Sequence, residues 1–164
     1  MPTTTQFCTM QMGINPLTGG CDLVIAPSGN GRGRIAIDRT PASSLLIAIG
    51  TDRRADPDDV TPDMLTAPAG TTAGVFSRRG WVGDILLPSG QRLGSRVWLY
   101  ERGKRDETTR AGVAEALSEA VAAIENYHGI EIDVTAQWST RRRDQLNGTV
   151  SALGVTVSTQ VQIL

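Results

Sequence analysis

The stretch 106-DETTRAGVAEALSEAVAAIENYHGIEIDVTAQW-138 decides the fold, because it predicts a long amphipathic helix that runs directly into a β-strand. Apolar residues recur at helical spacing within it: Val113, Leu117, Ala120, Val121, Ile124 and Tyr127. Asp106 and Glu107 lie at the positive end of the helix dipole, and Gly129 follows the last turn. We therefore predict a helix over residues 106–128 with one face on the core.

A half-buried strand is predicted directly after this helix. Apolar and polar residues alternate there, with Ile130, Ile132, Val134, Ala136 and Trp138 on one face and Glu131, Asp133, Thr135 and Gln137 on the other. Residues 150–164 alternate again, with a bulge expected at Gly154, and the turn between the two strands is expected at Arg141–Arg143 and Asn147-Gly148. The predicted fold class is α+β, with the helix packed on a small antiparallel sheet.

The part of the chain before this unit carries weaker signals. Residues 21–38 predict a hairpin around the turn 28-SGNGRG-33. Residues 42–49 follow an N-cap at Thr40 and a proline at the first helical position, and they form either a short buried helix or a buried strand. Residues 1–20 show no sustained period and are expected to be an extended arm that orders only against something else, which leaves a single α+β domain over residues 21–164.

The near-neutral net charge excludes binding to polyanions that is driven by the overall charge of the chain. Sixteen Lys and Arg residues stand against 17 Asp and Glu residues, so the formal net charge is -1 and neither nucleic acid nor an anionic membrane is attracted in this way. No apolar run reaches the about 18 residues that a membrane helix needs, and the N-terminus lacks the basic start of a signal peptide. We expect a soluble protein that is made in a cytoplasm.

Residues 51–91 form a long loop rich in Asp, Arg, Gly and Pro, and loops of this length are usually functional or bound to a partner. Five carboxylates, Asp52, Asp56, Asp58, Asp59 and Asp63, could hold a hard cation, but the glycine and closing glutamate of a calcium loop are missing. Arg53 and Arg54 lie among them as expected counter-ions. We predict no metal or cofactor, and a small metal-dependent hydrolase that uses residues 52–63 is the alternative function.

The sequence offers no catalytic residues, and the chain is not expected to be an enzyme. His128 is the only histidine, and at the end of the helix it is a favourable cation rather than a catalytic base. Cys8 and Cys21 lie in or beside the arm, and the sequence leaves open whether they form a disulfide. Arg141–Arg143 favour a solvated turn over a nucleic-acid site.

Arginines flank two tryptophans in the segments 78-RRGWVGD-84 and 94-GSRVWLYER-102. Rigid aromatic area ringed by guanidinium groups is typical of interface anchors, although Trp98 lies in a short buried segment, helix or strand, where it could instead fill a thin core. The predicted interface residues are Asp52, Arg53, Arg54, Arg78, Arg79, Trp81, Asp84, Arg96, Trp98 and Arg102.

Three short motifs in fixed order, 51-TDRRA-55, 79-RGWVGD-84 and 94-GSRVWL-99, precede the helix and the strands. Together they resemble the phage Mu type of baseplate wedge protein over about residues 21–157. The resemblance implies the sheath-initiator class of contractile tails, whose members are small α+β proteins that contact tube-side wedge proteins and offer the first sheath ring a template.

This resemblance also implies a place and a set of partners. The chain would be a structural component of the virion, in a ring-like hetero-assembly with other baseplate wedge proteins, tail tube or hub proteins and the sheath protein. Assembly would occur in the host cytoplasm, without nucleic acid, membrane or cofactor. A sheath initiator needs a sheet edge that a neighbour can extend, and the C-terminal strand ending at Leu164 is expected to supply it.

Overall fold

The structure is a computed structural model that describes residues 6–64, 68, 78–88 and 90–163. Its helices are α1 (Ala42–Gly50), α2 (Glu107–His128) and two 3-10 helices, Val82–Leu86 and Val97–Tyr100. Its strands are β1 (Thr9–Met10), β2 (Met12–Ile14), β3 (Cys21–Leu23), β4 (Ile25–Gly29), β5 (Arg32–Ile35), β6 (Ile37–Asp38), β7 (Asp133–Trp138), β8 (Gln145–Ala152) and β9 (Val155–Gln162). The predicted α+β class is confirmed. No helix in these ranges is both long and apolar enough to cross a bilayer.

The helix α2 forms where the sequence predicts it. The Asp106 side chain caps it by accepting a hydrogen bond from the backbone N–H of Thr109 at 2.8 Å, and Gly129 ends it in the left-handed conformation, φ 61°. Val113 and Leu117 are fully buried, whereas Tyr127 is 86% exposed. The expectation that Tyr127 joins the apolar face is wrong, because in the last turn its ring contacts His128 edge-on and not the core.

The helix packs on a three-stranded antiparallel sheet of order β7-β8-β9. The pairing of β7 with β8 runs from Asp133↔Ser151 to Trp138↔Leu146, and that of β8 with β9 from Gln145↔Gln162 to Ala152↔Val155. The face under α2 supplies much of the core, with Ala136, Leu146, Val150 and Val161 buried. The antiparallel sheet under the helix is confirmed, but β7 and β9 do not pair with each other, because β8 lies between them.

Two details of the predicted sheet are wrong. Asn147-Gly148 is not a turn but lies inside β8, since a Cβ at Gly148 would come within 2.6 Å of Leu117 Cδ1 and the glycine lets α2 approach the sheet. Gly154 is not a bulge, because Leu153 and Gly154, φ 50° and 78°, form a two-residue turn. The region predicted as two strands therefore holds three.

The segment 42–49 is a short helix and not a strand. Leu45, Ala48 and Ile49 of α1 are buried. Its first turn is capped by Thr40, whose Oγ1 accepts from Ala42 N (3.3 Å), and by the carboxylate of Asp38: Oδ2 accepts hydrogen bonds from Ser43 N (2.9 Å) and Ser43 Oγ (2.6 Å), and Oδ1 accepts from Thr40 N (2.8 Å). Burial favours the neutral acid, but these hydrogen bonds prevail and lower the pKa of Asp38 from 3.8 to about 2.

This cap makes the stability depend on pH. The group with the lowered pKa stabilises the folded chain above pH 4, and this stabilisation is lost as the pH falls from about 4 to about 2. We expect Asp38→Asn to lower the free energy of unfolding by about 2 kcal/mol at pH 7, and the difference from wild type to shrink over that range. Urea unfolding at a series of pH values measures both. Asp58→Asn, at an exposed carboxylate, is the control, and a difference that does not change with pH would contradict the assignment.

The N-terminal part of the chain is more ordered than the sequence predicts. The hairpin is confirmed over Ile25–Ile35, with Asn30-Gly31 at its turn, but β3 and β6 leave it to pair with β2 and β1. Phe7 is 1% exposed and stacks on His128 with ring centroids 3.9 Å apart. The expectation that residues 1–20 order only against something else is therefore wrong for the described residues 6–20, since they pair with the chain's own strands. The division into an arm and a domain stays a prediction.

Candidate interaction site

The three sequence motifs meet in space around the segment 51–55. The backbone N–H of Arg53 donates to Ser95 O at 3.0 Å, and that of Ser95 donates to Thr51 O at 2.8 Å, which forms a parallel bridge between the first and third motifs. On the other side, Trp81 N donates to Asp52 O at 3.2 Å and Ala55 N donates to Arg78 O at 3.0 Å. We call residues 51–55, 78–84 and 94–98 the motif platform.

Two glycines allow these backbones to touch. A Cβ on Gly94 would come within 2.3 Å of Thr51 O, and a Cβ on Gly80 within 2.4 Å of Arg54 Cα. Both glycines have left-handed backbones, φ 101° and 96°. The glycines of the second and third motifs are therefore required by the packing of the platform.

Arg96 ties the platform to α2 and to the acidic loop. Its guanidinium contacts Asp56 at 3.1 Å, Asp59 at 3.0 Å and Glu119 of α2 at 2.8 Å. Arg53 contacts the same Glu119 at 2.9 Å. The network is partly buried, so its charges are less screened than those of an exposed pair.

The counter-ions of the acidic loop differ from the prediction. Asp56 is paired by Arg92 at 2.5 Å and by Arg96, residues about 40 positions away in sequence, rather than by the neighbouring Arg53 and Arg54. Carboxylates that bind guanidinium groups in this way are poor candidates for metal ligands. Among the residues that the structure describes, no group of three or more His, Cys, Asp or Glu side chains could hold a metal ion.

Arg79 covers the buried tryptophan of the platform. Its guanidinium makes two hydrogen bonds to Glu101, at 2.9 and 3.0 Å, and lies 4.9 Å from the centre of the Trp98 ring. Asp52 Oδ2 lies 3.7 Å from the same guanidinium. Burial raises the pKa of Asp52, Arg79 lowers it and Glu101 raises it.

The two tryptophans have different surroundings. Trp98 is only 4% exposed, and its Nε1 donates to Arg53 O at 2.9 Å, so most of the ring already packs within the chain. Trp81 is 44% exposed, and its ring lies over Gly83, where a Cβ would come within 2.2 Å of it. The aromatic surface that the platform offers to a partner therefore comes from Trp81.

The remaining predicted interface residues lie on or beside the platform. Arg78 donates from Nε to Ala55 O at 2.8 Å, and Asp84 Oδ1 accepts from Leu93 N at 3.0 Å. Arg54 is exposed, and Arg102 lines a groove between the platform and β9. The structure thus brings the ten residues to one region, and their contact with a partner stays a prediction.

A groove separates the platform from β9. One wall holds residues of α1, the motifs and the second 3-10 helix, and the other wall is the last half of β9; the lining includes Ile49, Asp52, Ser95, Trp98, Glu101, Arg102, Thr159, Gln160, Val161 and Gln162. The motif residues Asp52 and Trp98 and the final strand therefore belong to one concave surface.

The strand β9 is an edge of the sheet, and the groove runs beside its free side. Ile163 N donates to Asp144 O at 2.7 Å, and the unbroken register places these residues in a hydrogen-bonded pair with β8. Hydrogen-bonded pairs alternate along an antiparallel ladder, so every second residue of β9 directs its backbone N–H and C=O away from β8. These residues are Thr156, Ser158, Gln160 and Gln162.

The two edges of the sheet are protected differently. The outer carbonyl of Ala136 in β7 accepts a hydrogen bond from Arg110 Nη1 at 3.2 Å, and β7 carries the charge of Asp133. By contrast, β9 contains no charged residue and no proline, the usual devices that keep an edge from pairing. In the described part of the chain no hydrogen bond reaches its outer backbone groups. The edge at β9 is therefore less protected against strand addition than the edge at β7.

The sequence missed several members of this site. Glu101 and Glu119 pair with Arg79 and Arg96 of the motifs, and Arg92 pairs with Asp56 beside the first motif, but nothing in their spacing predicts it. The absence of charge in residues 155–162 was a readable signal for an open edge. Cys8 and Cys21 are exposed free thiols in the structure, remote in sequence from the platform.

A family model described as Phage protein GP46 matches residues 41–161. The chain belongs to the GP46 family of phage proteins. The match runs from the start of α1 to the end of β9, so the GP46 region includes the motif platform, the groove and the open edge. A search of curated proteins found no match. Membership of the GP46 family makes the chain a phage protein.

Proposed function

We propose that this chain is a structural, non-enzymatic component of the baseplate of a contractile phage tail or tail-like particle. The open edge of β9 beside the motif platform is the observation that carries the proposal. A strand from a neighbouring protein would lie in the groove, pair with the outer backbone groups of β9 and contact the platform with its side chains.

The proposed docking uses two features of the groove, the open edge of β9 and the side chains of the opposite wall. Backbone pairing along β9 gives affinity without selecting a sequence, because every strand carries the same N–H and C=O groups. The charged groups at the opposite wall, Asp52, Glu101 and Arg102, would select the partner and fix its register. Such a surface suits the first sheath ring, with other wedge proteins and tube or hub proteins on the remaining faces of a ring-like assembly.

The alternative, a metal-dependent hydrolase at residues 52–63, receives less support. Asp56 and Asp59 are held by Arg92 and Arg96, and removing these guanidinium groups would be needed before a cation could bind. The family assignment to phage proteins and the order of the three motifs both favour the structural role.

Mass spectrometry of purified particles tests the proposal. Particles are isolated from a producing culture, the baseplate is separated, and the amount of this chain is compared with that of the tube and sheath proteins. A stoichiometric amount in the baseplate is expected. Finding the chain only in the soluble lysate would overturn the proposal and return attention to the acidic loop.

Variants of the platform separate assembly from folding. Because the Trp81 side chain is 44% exposed and Arg79 forms an exposed ion pair, Trp81→Ala and Arg79→Ala should each cost the isolated chain only about 1 kcal/mol. Incorporation into particles should be lost in both. Circular dichroism melts and particle yield measure the two effects, with Arg142→Ala in the exposed turn as the control. Collapse of the isolated fold, or normal incorporation, would contradict the prediction.

A further inference from the structure

The N-terminal ribbon, strands β1–β6 over residues 9–38, lies outside the region 41–161 that defines the GP46 family match. Contacts with α1 and α2 hold the ribbon to the region 41–161. Met12 N donates to Ser43 Oγ at 3.0 Å, and the neighbouring Phe7 is buried against His128. The ribbon is thus an addition with a defined position, and the proposed function of the groove makes no use of it.

Backbone hydrogen bonds set the shape of the ribbon. Gln11 N donates to Ala36 O at 2.8 Å, Ala36 N donates to Val24 O at 2.9 Å, and Val24 N donates to Gln11 O at 2.9 Å. This closed ring of three bonds joins three two-stranded arms, β1-β6, β2-β3 and β4-β5. Few side chains are buried at this junction, so the backbone hydrogen bonds hold the three arms together.

Aliphatic side chains of the ribbon face solvent. Seven of the 13 large hydrophobic side chains that the described residues leave exposed lie in it: Met10, Ile14, Leu17, Leu23, Ile25, Ile35 and Ile37. Ile25 and Ile35 are direct cross-strand partners, 58% and 43% exposed, and Met10 and Ile37 are likewise partners at 54% each. Such concentrated exposed apolar area marks an interaction surface.

The charges beside this surface are cationic and unpaired. Arg32 and Arg34 are on β5 and Arg39 follows β6, and all three are exposed without an ion pair to any residue that the structure describes. Of the two acids in the ribbon, Asp38 is engaged in capping α1, which leaves Asp22. A surface that complements the ribbon is therefore apolar with a carboxylate rim.

We propose that the N-terminal ribbon docks this chain onto a second, different protein, through an aliphatic patch on that protein that is rimmed by Asp or Glu. Arg32, Arg34 and Arg39 are accompanied by no aromatic residue in 9–38, and this is a poor fit to nucleic acid, which would use base stacking and a broader basic surface. This inference goes beyond the proposed function, because it concerns a surface outside the family domain and does not need the groove.

Site-specific photo-cross-linking in producing cells tests it. The photoreactive residue p-benzoylphenylalanine is incorporated in place of Ile25 or Ile35, and in place of Leu153, which is 63% exposed, as a control. Cross-linked partners are identified by mass spectrometry after irradiation of intact cells. We expect positions 25 and 35, but not 153, to label the same acidic segment of one other protein. The double variant Arg32→Glu, Arg34→Glu should lower that yield by about tenfold, whereas Arg142→Glu should not.

Every other outcome overturns the proposal. Cross-links only within this chain, to a second copy of it or to nucleic acid would each contradict a different protein partner, as would the absence of cross-links. A yield that is insensitive to charge reversal would contradict the carboxylate rim. If the partner is labelled as expected but this chain is absent from the purified particle, the ribbon proposal is supported and the baseplate function is contradicted, so the two proposals fail separately.

Discussion

The Gln160→Pro variant is expected to fold and to fail in assembly. The backbone N–H of Gln160 points away from β8, so proline removes no hydrogen bond of the folded sheet, and proline is tolerated at such edge positions. In the assembled state the same change removes the backbone N–H of Gln160 that would donate to the docked strand. A carbonyl of the partner is then left without a hydrogen bond. The cost of about 2 kcal/mol corresponds to a fall of roughly 30-fold in affinity for one strand.

Two matched variants make this result specific. Gln160→Ala removes the side chain but keeps the N–H, and it should assemble normally. Thr159→Pro removes an N–H that is directed at β8, and it should unfold the sheet. Thermal melts of the isolated chains and counts of sheathed particles by electron microscopy measure the two effects. Normal sheath formation with Gln160→Pro would show that β9 is not the docking edge.

Gly94→Ala should cause a large loss of stability through the motif platform. The new methyl group would lie 2.3 Å from Thr51 O on a backbone with φ 101°, so both strain and a clash with main-chain atoms oppose it. We expect the free energy of unfolding to fall by about 3 kcal/mol, or roughly 6–12 °C in Tm. Calorimetry or chemical denaturation measures this.

Gly90→Ala is the control for the conformational part of that effect. Gly90 has a similar φ of 88° but no atom within 4 Å of an added Cβ, so it should cost only about 1 kcal/mol. Equal losses for the two variants would mean that the contact between Gly94 and Thr51 contributes nothing. A larger loss at Gly94 would support the convergence of the first and third motifs.

Local patterns predicted the elements that local forces determine. The helix α2 was predictable because its apolar period, the Asp106 cap and the Gly129 terminus all agree over 22 residues. The glycine at 148 was misread because a turn and a close helix contact both favour glycine, and only the position of Leu117 distinguishes them. At the start of α1 the expected Thr40 cap is present, but the second acceptor, Asp38, was not predicted because it lies before the helix at the end of β6.

The sequence predicted which residues form the site better than it predicted how they are arranged in space. The motif order drew attention to the residues that form the platform, but which tryptophan is buried depends on contacts with Arg53 and Arg79 across the fold. The groove arises from the register of β8 with β9 and from the packing of α1 beside it, which no single segment encodes. Pairing over residues 6–23 was missed because its short strands carry little periodicity.

A cryo-electron microscopy reconstruction of the assembled tail tests the central claim most directly. We predict that a strand of a neighbouring protein lies in the groove and pairs with the outward backbone groups of Thr156, Ser158, Gln160 and Gln162, while the outer edge of β7 stays without a strand. A reconstruction that contains this chain with the edge of β9 facing solvent would contradict the account.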